Sequence, residues 1–255
     1  MTYAGFLARF LLLPIVAGAV LLLALERRGR ERTDAWRGAP VGPSIALLVV
    51  VAVVYTTPWD NYLVATGVWW YDPDKVLGLV IGWVPIEEYT FFVLQPILAG
   101  FWLGVVARLV PPSGRAFRPS RRIRATAAAV AASAWAASVG ALVAGPPAAT
   151  YLALELAWGL PPVALQLGFG ADILAHRARH VALAIVPLTA YLAAADAVAI
   201  ASGTWTIDPA QSLGVMIGPL PLEELVFFAL TNTLVVLGLV LLLAPESRSR
   251  LPVRR

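Results

Sequence analysis

The sequence predicts an all-α integral membrane protein: seven transmembrane helices arranged as two parallel three-helix repeats joined by a connecting helix. Three observations carry that prediction. First, of 255 residues 60% are hydrophobic and 13% charged, with a mean hydropathy of +0.79, too little polar surface to coat a water-soluble globule of this size. Second, seven stretches reach the roughly 20 mainly apolar residues that a bilayer-spanning helix needs. Third, Pro85-Ile-Glu-Glu-Tyr-Thr-Phe-Phe92 returns as Pro221-Leu-Glu-Glu-Leu-Val-Phe-Phe228, an offset of 136 (87 to 223), inside apolar sequence both times.

Span one, residues 5–25, lacks a basic leader and an Ala-x-Ala-like cleavage site before Glu26, so it reads as a retained span rather than a removed signal. Span two covers 43–64, and the loop 65–76 after it carries Gly67, Trp69 and Asp72-Pro73. Asp-Pro favours turn initiation and Trp favours the headgroup belt. Span three, 77–108, is too long for one straight crossing. Its Pro85, Pro96 and Gly100 predict a kink or a broken helix, tolerated at depth only where protein or a cavity satisfies the backbone, and a pocket is expected at the break. Span four, 125–144, follows the Arg121-Arg122-Ile-Arg124 linker. Spans five and six cover 149–169 and 181–201, and the loop 202–211 repeats Gly203, Trp205 and Asp208-Pro209. Span seven, 212–243, carries Pro219 and Pro221.

Residues 60–96 laid on 196–232 without a gap match at Asp60/Asp196, Gly67/Gly203, Trp69/Trp205, Asp72/Asp208, Gly78/Gly214 and Gly82/Gly218, through both acid pairs to Leu94/Leu230. The units are 1–110 and 147–244, with 111–146 as basic linker and connecting span and 245–255 as a basic tail. One extra span between the halves makes equivalent helices run the same way, about a pseudo-two-fold axis along the membrane normal. Arginines cluster at 27–37, 108–124, 177–179 and 248–255, leaving only Arg9 and Lys75 elsewhere among the 19 basic residues. Those clusters share one face, which the positive-inside rule makes cytoplasmic, with the N-terminus outside. The sequence pI near 9.8 thus reflects topology and contact with anionic lipid rather than nucleic acid. There are no cysteines, which excludes disulfides, thiolate chemistry and Cys-ligated metal or iron–sulfur sites.

Ionisable residues inside spans are costly and mark functional sites by default, so Glu87, Glu88, Glu223 and Glu224 are the catalytic candidates. With spanning begun near residue 77, Glu87 is expected about ten residues deep, near the bilayer centre. A carboxylic acid buried in apolar surroundings beside a second carboxyl tends to keep its proton, and two carboxyls of separated proton affinity divide the roles of acid and base. At i+3, i+4 and i+7 from Glu88 stand Phe91, Phe92 and Gln95; Glu224 is followed likewise by Phe227, Phe228 and Thr231. Aromatic faces attract a developing cation by about 0.5–2 kcal/mol each. Acid, rings and an oily cavity together suit protonation of an alkene. Plain interhelical hydrogen bonding would need only one acid per helix. Each ring serves packing equally well. Phe91, Phe92, Phe227, Phe228, Gln95 and Asn232 are the substrate-binding candidates. Asp60 and Asp196 are expected to cap or anchor loops. Glu155, opposite Ala19 by the ungapped offset, is expected to pair with Arg9, with a proton-donor role as the other reading. His176 and His180, flanked by Arg177 and Arg179, are expected to be interfacial rather than metal ligands.

Pro-x-Glu-Glu-x-x-Phe, present at Pro85 to Phe91 and at Pro221 to Phe227 within two three-span repeats, resembles the membrane lycopene cyclases of the heterodimer-derived, non-flavin type, in the form where both repeats are fused in one chain. The resemblance covers essentially the whole length. It implies carotenoid biosynthesis in the cell membrane, with lycopene taken from the bilayer and its acyclic ψ ends cyclised to β-ionone rings by protonation, ring closure and proton loss. It also implies that the Pro-x-Glu-Glu acids are essential. Flavin-dependent cyclases carry a Gly-x-Gly-x-x-Gly fingerprint, absent here: Gly168-Phe-Gly170 lacks the third glycine. No cofactor is therefore expected. An ε or C50 cyclase is the alternative within the class, and a proton-coupled transporter or channel the alternative outside it. A prenyltransferase lacks its aspartate-rich motifs here, since Asp72-Pro-Asp74 has no second cluster.

Overall fold

The computed structural model describes residues 1–30 and 33–250. Among the described residues, seven helices are long and apolar enough to cross a membrane: α1 (Tyr3–Arg27), α2 (Val41–Ala65), α3 (Ile86–Leu109), α4 (Arg121–Ala144), α5 (Thr150–His176), α6 (Ala178–Ala201) and α7 (Leu222–Leu243). The all-α membrane class holds. α1 opens with the Thr2 side chain accepting the Gly5 N–H and passes through a π-helical turn at Ala8–Leu12. Three pairs of short strands lie at the ends of these helices: β1 (Trp69–Tyr71), β2 (Val80–Ile81), β3 (Val84–Pro85), β4 (Trp205–Ile207), β5 (Met216–Ile217) and β6 (Leu220–Pro221).

The core is built around α3 and α7, each 61% enclosed over its apolar window against 11–44% for the other spans. The two helices pack on each other; α3 also contacts α1, α2 and α6, while α7 contacts α2, α5 and α6. The alanine-rich α4 packs along α5, leaving most of its surface apolar and open to lipid. On the side away from the arginine clusters, β1 and β4 pair antiparallel, with Trp69 opposite Ile207 and Tyr71 opposite Trp205. The two loops that align in sequence are thus hydrogen-bonded to each other across the bundle.

The third and seventh spans do not begin at 77 and 212. Residues 80–85 and 216–221 form hairpins, β2 with β3 and β5 with β6. Their two-residue connections begin with Gly82 at φ +69° and Gly218 at φ +63°, the left-handed first position of a type II′ turn that only glycine takes without strain. Pro85 and Pro221 then stand extended as the helix N-caps (ψ 152° and 147°), because proline lacks the N–H that a continuing helix requires. The expectation of acids near the bilayer centre is corrected accordingly. α3 has 24 residues, about 36 Å at 1.5 Å per residue, enough to cross a core of about 30 Å by itself. Glu87, Glu88, Glu223 and Glu224 stand in the first turns of α3 and α7, at the non-arginine end. The hairpins cover them with outward apolar side chains, including Leu77, Leu79 and Trp83, each about two-thirds exposed.

At the arginine-rich end several of the cations are used inside the protein. Arg177 donates to Glu246 at 2.8 Å and to the Ala35 carbonyl at 3.0 Å, and lies over the Trp36 ring. Arg250 donates to Asp172 at 2.8 Å. The expected loop 170–180 is nearly absent: α5 runs on to His176 through a non-helical Gly170, and Arg177 alone joins it to α6. His176 and His180 consequently sit on different helices, and His180 Nε2 lies 3.1 Å from the Val110 carbonyl.

Candidate active site

The second acid of each repeated pair lines one shared chamber. Glu88 from α3 and Glu224 from α7 face a cavity of about 40 Å³, closed by the β1–β4 sheet and by side chains of α1, α5 and α6. Glu88 Oε2 accepts hydrogen bonds from the Tyr3 hydroxyl and, at 2.9 Å, from the Tyr71 hydroxyl; the Tyr71 oxygen in turn accepts from Trp69 Nε1 at 3.1 Å. Glu224 Oε1 accepts from the Tyr151 hydroxyl at 2.7 Å. Asp196, which lines the same chamber, accepts from Trp205 Nε1 at 3.0 Å. Asp196 therefore anchors the β4 loop, as expected, and also belongs to the acid cluster.

The first acid of each pair has a different place. Glu87 Oε1 accepts the Leu77 N–H at 2.6 Å, and Glu223 Oε1 accepts the Leu213 N–H at 2.6 Å and the Ser212 hydroxyl at 3.1 Å. Both are buried (2% and 0% exposed), and neither lines the chamber. They tie the start of each hairpin to the first helical turn. Among the described residues the second oxygen of each has no hydrogen-bond partner, and the same holds for Asp60 Oδ2.

Phe91, Phe227 and Phe228 line the chamber. Their rings meet edge to face, Phe91 with Phe228 at 6.2 Å and Phe227 with Phe228 at 5.2 Å between centroids. Phe92 does not; it faces a neighbouring groove. Gln95 and Asn232 are joined to each other, Nε2 to Oδ1 at 2.7 Å, and Asn232 also donates to Thr189 at 3.1 Å. That buried chain holds α3, α6 and α7 together away from the acids, and Asn232 lines neither cavity.

The pairing of Glu155 with Arg9 is overturned. Arg9 Nη1 lies 3.8 Å from Met1 Sδ, while Glu155 is fully buried and neither of its oxygens has a hydrogen-bond partner among the described residues. It sits one helical turn past Tyr151 on the same face of α5, which directs it toward the acid cluster rather than toward α1.

Sequence reasoning missed Tyr3, Tyr71 and Tyr151; for Tyr3 and Tyr151 the cause is an alignment gap, while Tyr71 lies in the ungapped stretch with Ile207 in its place in the second repeat, so no repetition marked it. Tyr3 and Tyr151 occupy equivalent places, each in the first turns of its repeat's first helix and each donating to that repeat's second acid. They are 148 positions apart rather than 136. The loop between α1 and α2 occupies 28–40, whereas Arg177 alone separates α5 from α6. A 12-residue gap there brings Tyr3 onto Tyr151 and places Leu7, not Ala19, opposite Glu155. Removing one phenol from Glu88 removes a hydrogen bond to a charged or charge-developing oxygen, about 1.5–3 kcal/mol and so roughly ten- to a hundredfold in rate. Tyr3→Phe and Tyr71→Phe are each expected to show that loss in a turnover assay, while the lipid-facing Tyr62→Phe leaves the rate unchanged.

The sequence profile of the family described as lycopene cyclase matches residues 11–106 and 148–242, leaving out α4 and its linker. The chain is 39% identical over 241 residues to the lycopene beta-cyclase of Halobacterium salinarum, covering 94% of this chain and 95% of that protein. It is 35% identical over 199 residues to the bifunctional lycopene cyclase/phytoene synthase of Aspergillus niger, covering 77% of this chain and 34% of that protein. With the protein of the same description from Phycomyces blakesleeanus it shares 33% identity over 201 residues, 74% of this chain and 32% of that protein. No solved structure matches the chain.

Proposed function

The chain belongs to the lycopene cyclase family, and we propose that it is a lycopene β-cyclase that turns the acyclic ψ ends of its carotenoid substrate into β-ionone rings with no change of oxidation state. The observation that carries the chemistry is the meeting of Glu88 and Glu224, one from each half, in a single chamber walled by aromatic rings.

The reaction needs one proton delivered and one removed. The carboxyl O–H of the acid breaks as a C–H bond forms at the less substituted carbon of the terminal double bond, leaving a tertiary cation. The π electrons of the next suitably placed double bond attack that cation, closing a six-membered ring by a new C–C bond and moving the charge to a ring carbon. A neighbouring ring C–H then gives its proton to the base carboxylate, and its electrons become the ring double bond. The product is an isomer of the substrate. Glu224, which faces the chamber together with the Asp196 carboxyl, is suited to deliver the proton; Glu88, with two phenol hydrogens on one oxygen, is suited to receive one. Phe91, Phe227 and Phe228 are placed to offer ring faces to the cation. Glu87 and Glu223 act as positioning residues through the hairpins. The 1–110 and 147–244 units would each contribute half of the site.

The arginine clusters support a multi-pass protein of the cell membrane with its N-terminus outside and anionic lipid bound at its cytoplasmic loops. The test is expression in a lycopene-accumulating bacterium followed by pigment chromatography. Conversion to a ring-bearing pigment of shorter absorption wavelength is the expected result, and unchanged lycopene with the protein present in the membrane defeats the reading.

A further inference from the structure

The chamber of about 40 Å³ is far smaller than an isoprenoid chain, so most of the substrate must lie outside it. Two grooves on the bundle's apolar surface are candidates. One, of about 320 Å³, runs between α2 and α5 over α3 and α7; the other, of about 420 Å³, runs between α1 and α6 over α3. They are mates under the pseudo-two-fold. Tyr55 lines the first and Tyr191 the second, 136 apart; Pro162 and Pro14 correspond at the offset of 148. Even the bridging bonds match, Tyr55 hydroxyl to the Trp158 carbonyl and Tyr191 hydroxyl to the Phe10 carbonyl.

The mates differ in what they lead to. Phe91 and Phe227 line both the α2–α5 groove and the acid chamber and so form a wall common to the two; no described residue of the α1–α6 groove lines the chamber. Two of the rings lining the first groove, Trp158 and Phe227, are both held by Trp59, which stacks on Trp158 at 4.5 Å and on Phe227 at 6.0 Å with planes 6° apart. A wall of aromatic rings fixed in this way suits a planar conjugated chain. Its lip is open to lipid, with Leu165 76% and Val51 50% exposed.

Resting on the cyclase reading above, we infer that the α2–α5 groove is the binding track for the polyene chain of the substrate, which enters sideways from the bilayer and passes its reacting end between Phe91 and Phe227 to the acids. The α1–α6 groove is not used for this.

The test is the initial rate of ring formation in membranes with lycopene as the probe, compared for Ala52→Phe, which fills the groove from the α2 wall, Leu165→Trp, which narrows it from the exposed α5 lip, and Ala17→Phe on the α1 wall of the other groove. Membrane level and melting temperature are recorded for each. The two α2–α5 variants are expected to lose at least about tenfold in rate at unchanged membrane level, and Ala17→Phe to stay within about twofold of the parent. Leu165 faces lipid, so Leu165→Trp keeps the test open if Ala52→Phe fails to fold. A folded Leu165→Trp or Ala52→Phe at the parental rate, or a selective loss in Ala17→Phe, overturns the track. A parent chain that forms no ring at all defeats the cyclase reading instead.

Discussion

Glu224→Gln is expected to lower the rate of ring formation by about 10²–10⁴-fold, the usual share of a positioned general acid or base, with the protein inserted and folded as before. The amide has the shape of the carboxyl and its oxygen still accepts the Tyr151 hydroxyl now at 2.7 Å, so the hydrogen-bond frame survives. What it loses is the acidic hydrogen, and no other group on the second repeat's side of the chamber is both acidic and aimed into it except Asp196. Glu88→Gln is expected to fall as far for the complementary reason: an amide oxygen between two phenols cannot take a proton from a ring carbon at a useful rate. Because one turnover needs both events, the double variant is expected to be no worse than either single one. The measurement is cyclic pigment formed per unit of membrane-inserted protein. Should Glu88→Gln keep the parental rate while Glu224→Gln is inactive, the chemistry lies in the second repeat alone and the composite site is wrong.

Much of this site was legible because membrane insertion makes acids conspicuous. Four glutamates in apolar sequence, doubled and repeated at one offset, pointed to their positions without any alignment of relatives. Helical spacing placed Phe91, Phe227 and Phe228 beside them. Two things escaped for physical reasons. The hairpins read as span because Leu77, Leu79, Val80 and Ile81 are as apolar as any helix; in lipid, outward strands and outward helices select the same side chains, and only Gly82 and Pro85 carried the difference. Tyr3 and Tyr151 escaped because an offset taken from the repeated loops fails for the first helix of each half, where one connection is a single residue and the other a long loop, and Tyr71 because Ile207 holds its place in the second repeat. Span length then misplaced the acids in depth by counting hairpin residues as helical rise.

The two acids of each motif are expected to respond differently to the same change, and this is the sharpest consequence of the hairpins. In Glu223→Gln the side-chain oxygen still accepts the Leu213 N–H and the Ser212 hydroxyl that Glu223 Oε1 accepts now, at 2.6 and 3.1 Å, so the start of the second hairpin stays tied to the first turn of α7. Activity is expected to stay within about tenfold of the parent, since a neutral acceptor makes a hydrogen bond weaker by about 1 kcal/mol than a charged one. In Glu223→Leu the tie is gone. A buried N–H left without a partner costs about 1–3 kcal/mol, the melting temperature drops, and the freed hairpin lets the first turn shift. Glu224 is the very next residue, and a displacement of about 1 Å at a reacting group lowers rates by roughly a hundredfold. The first repeat gives the same contrast through Glu87 and Leu77. Rates and melting temperatures of the glutamine and leucine variants at 87 and 223 therefore separate anchoring from proton transfer. If Glu223→Gln is as inactive as Glu224→Gln while melting like the parent, Glu223 handles the proton itself, and its unpartnered second oxygen is the place to look for the route.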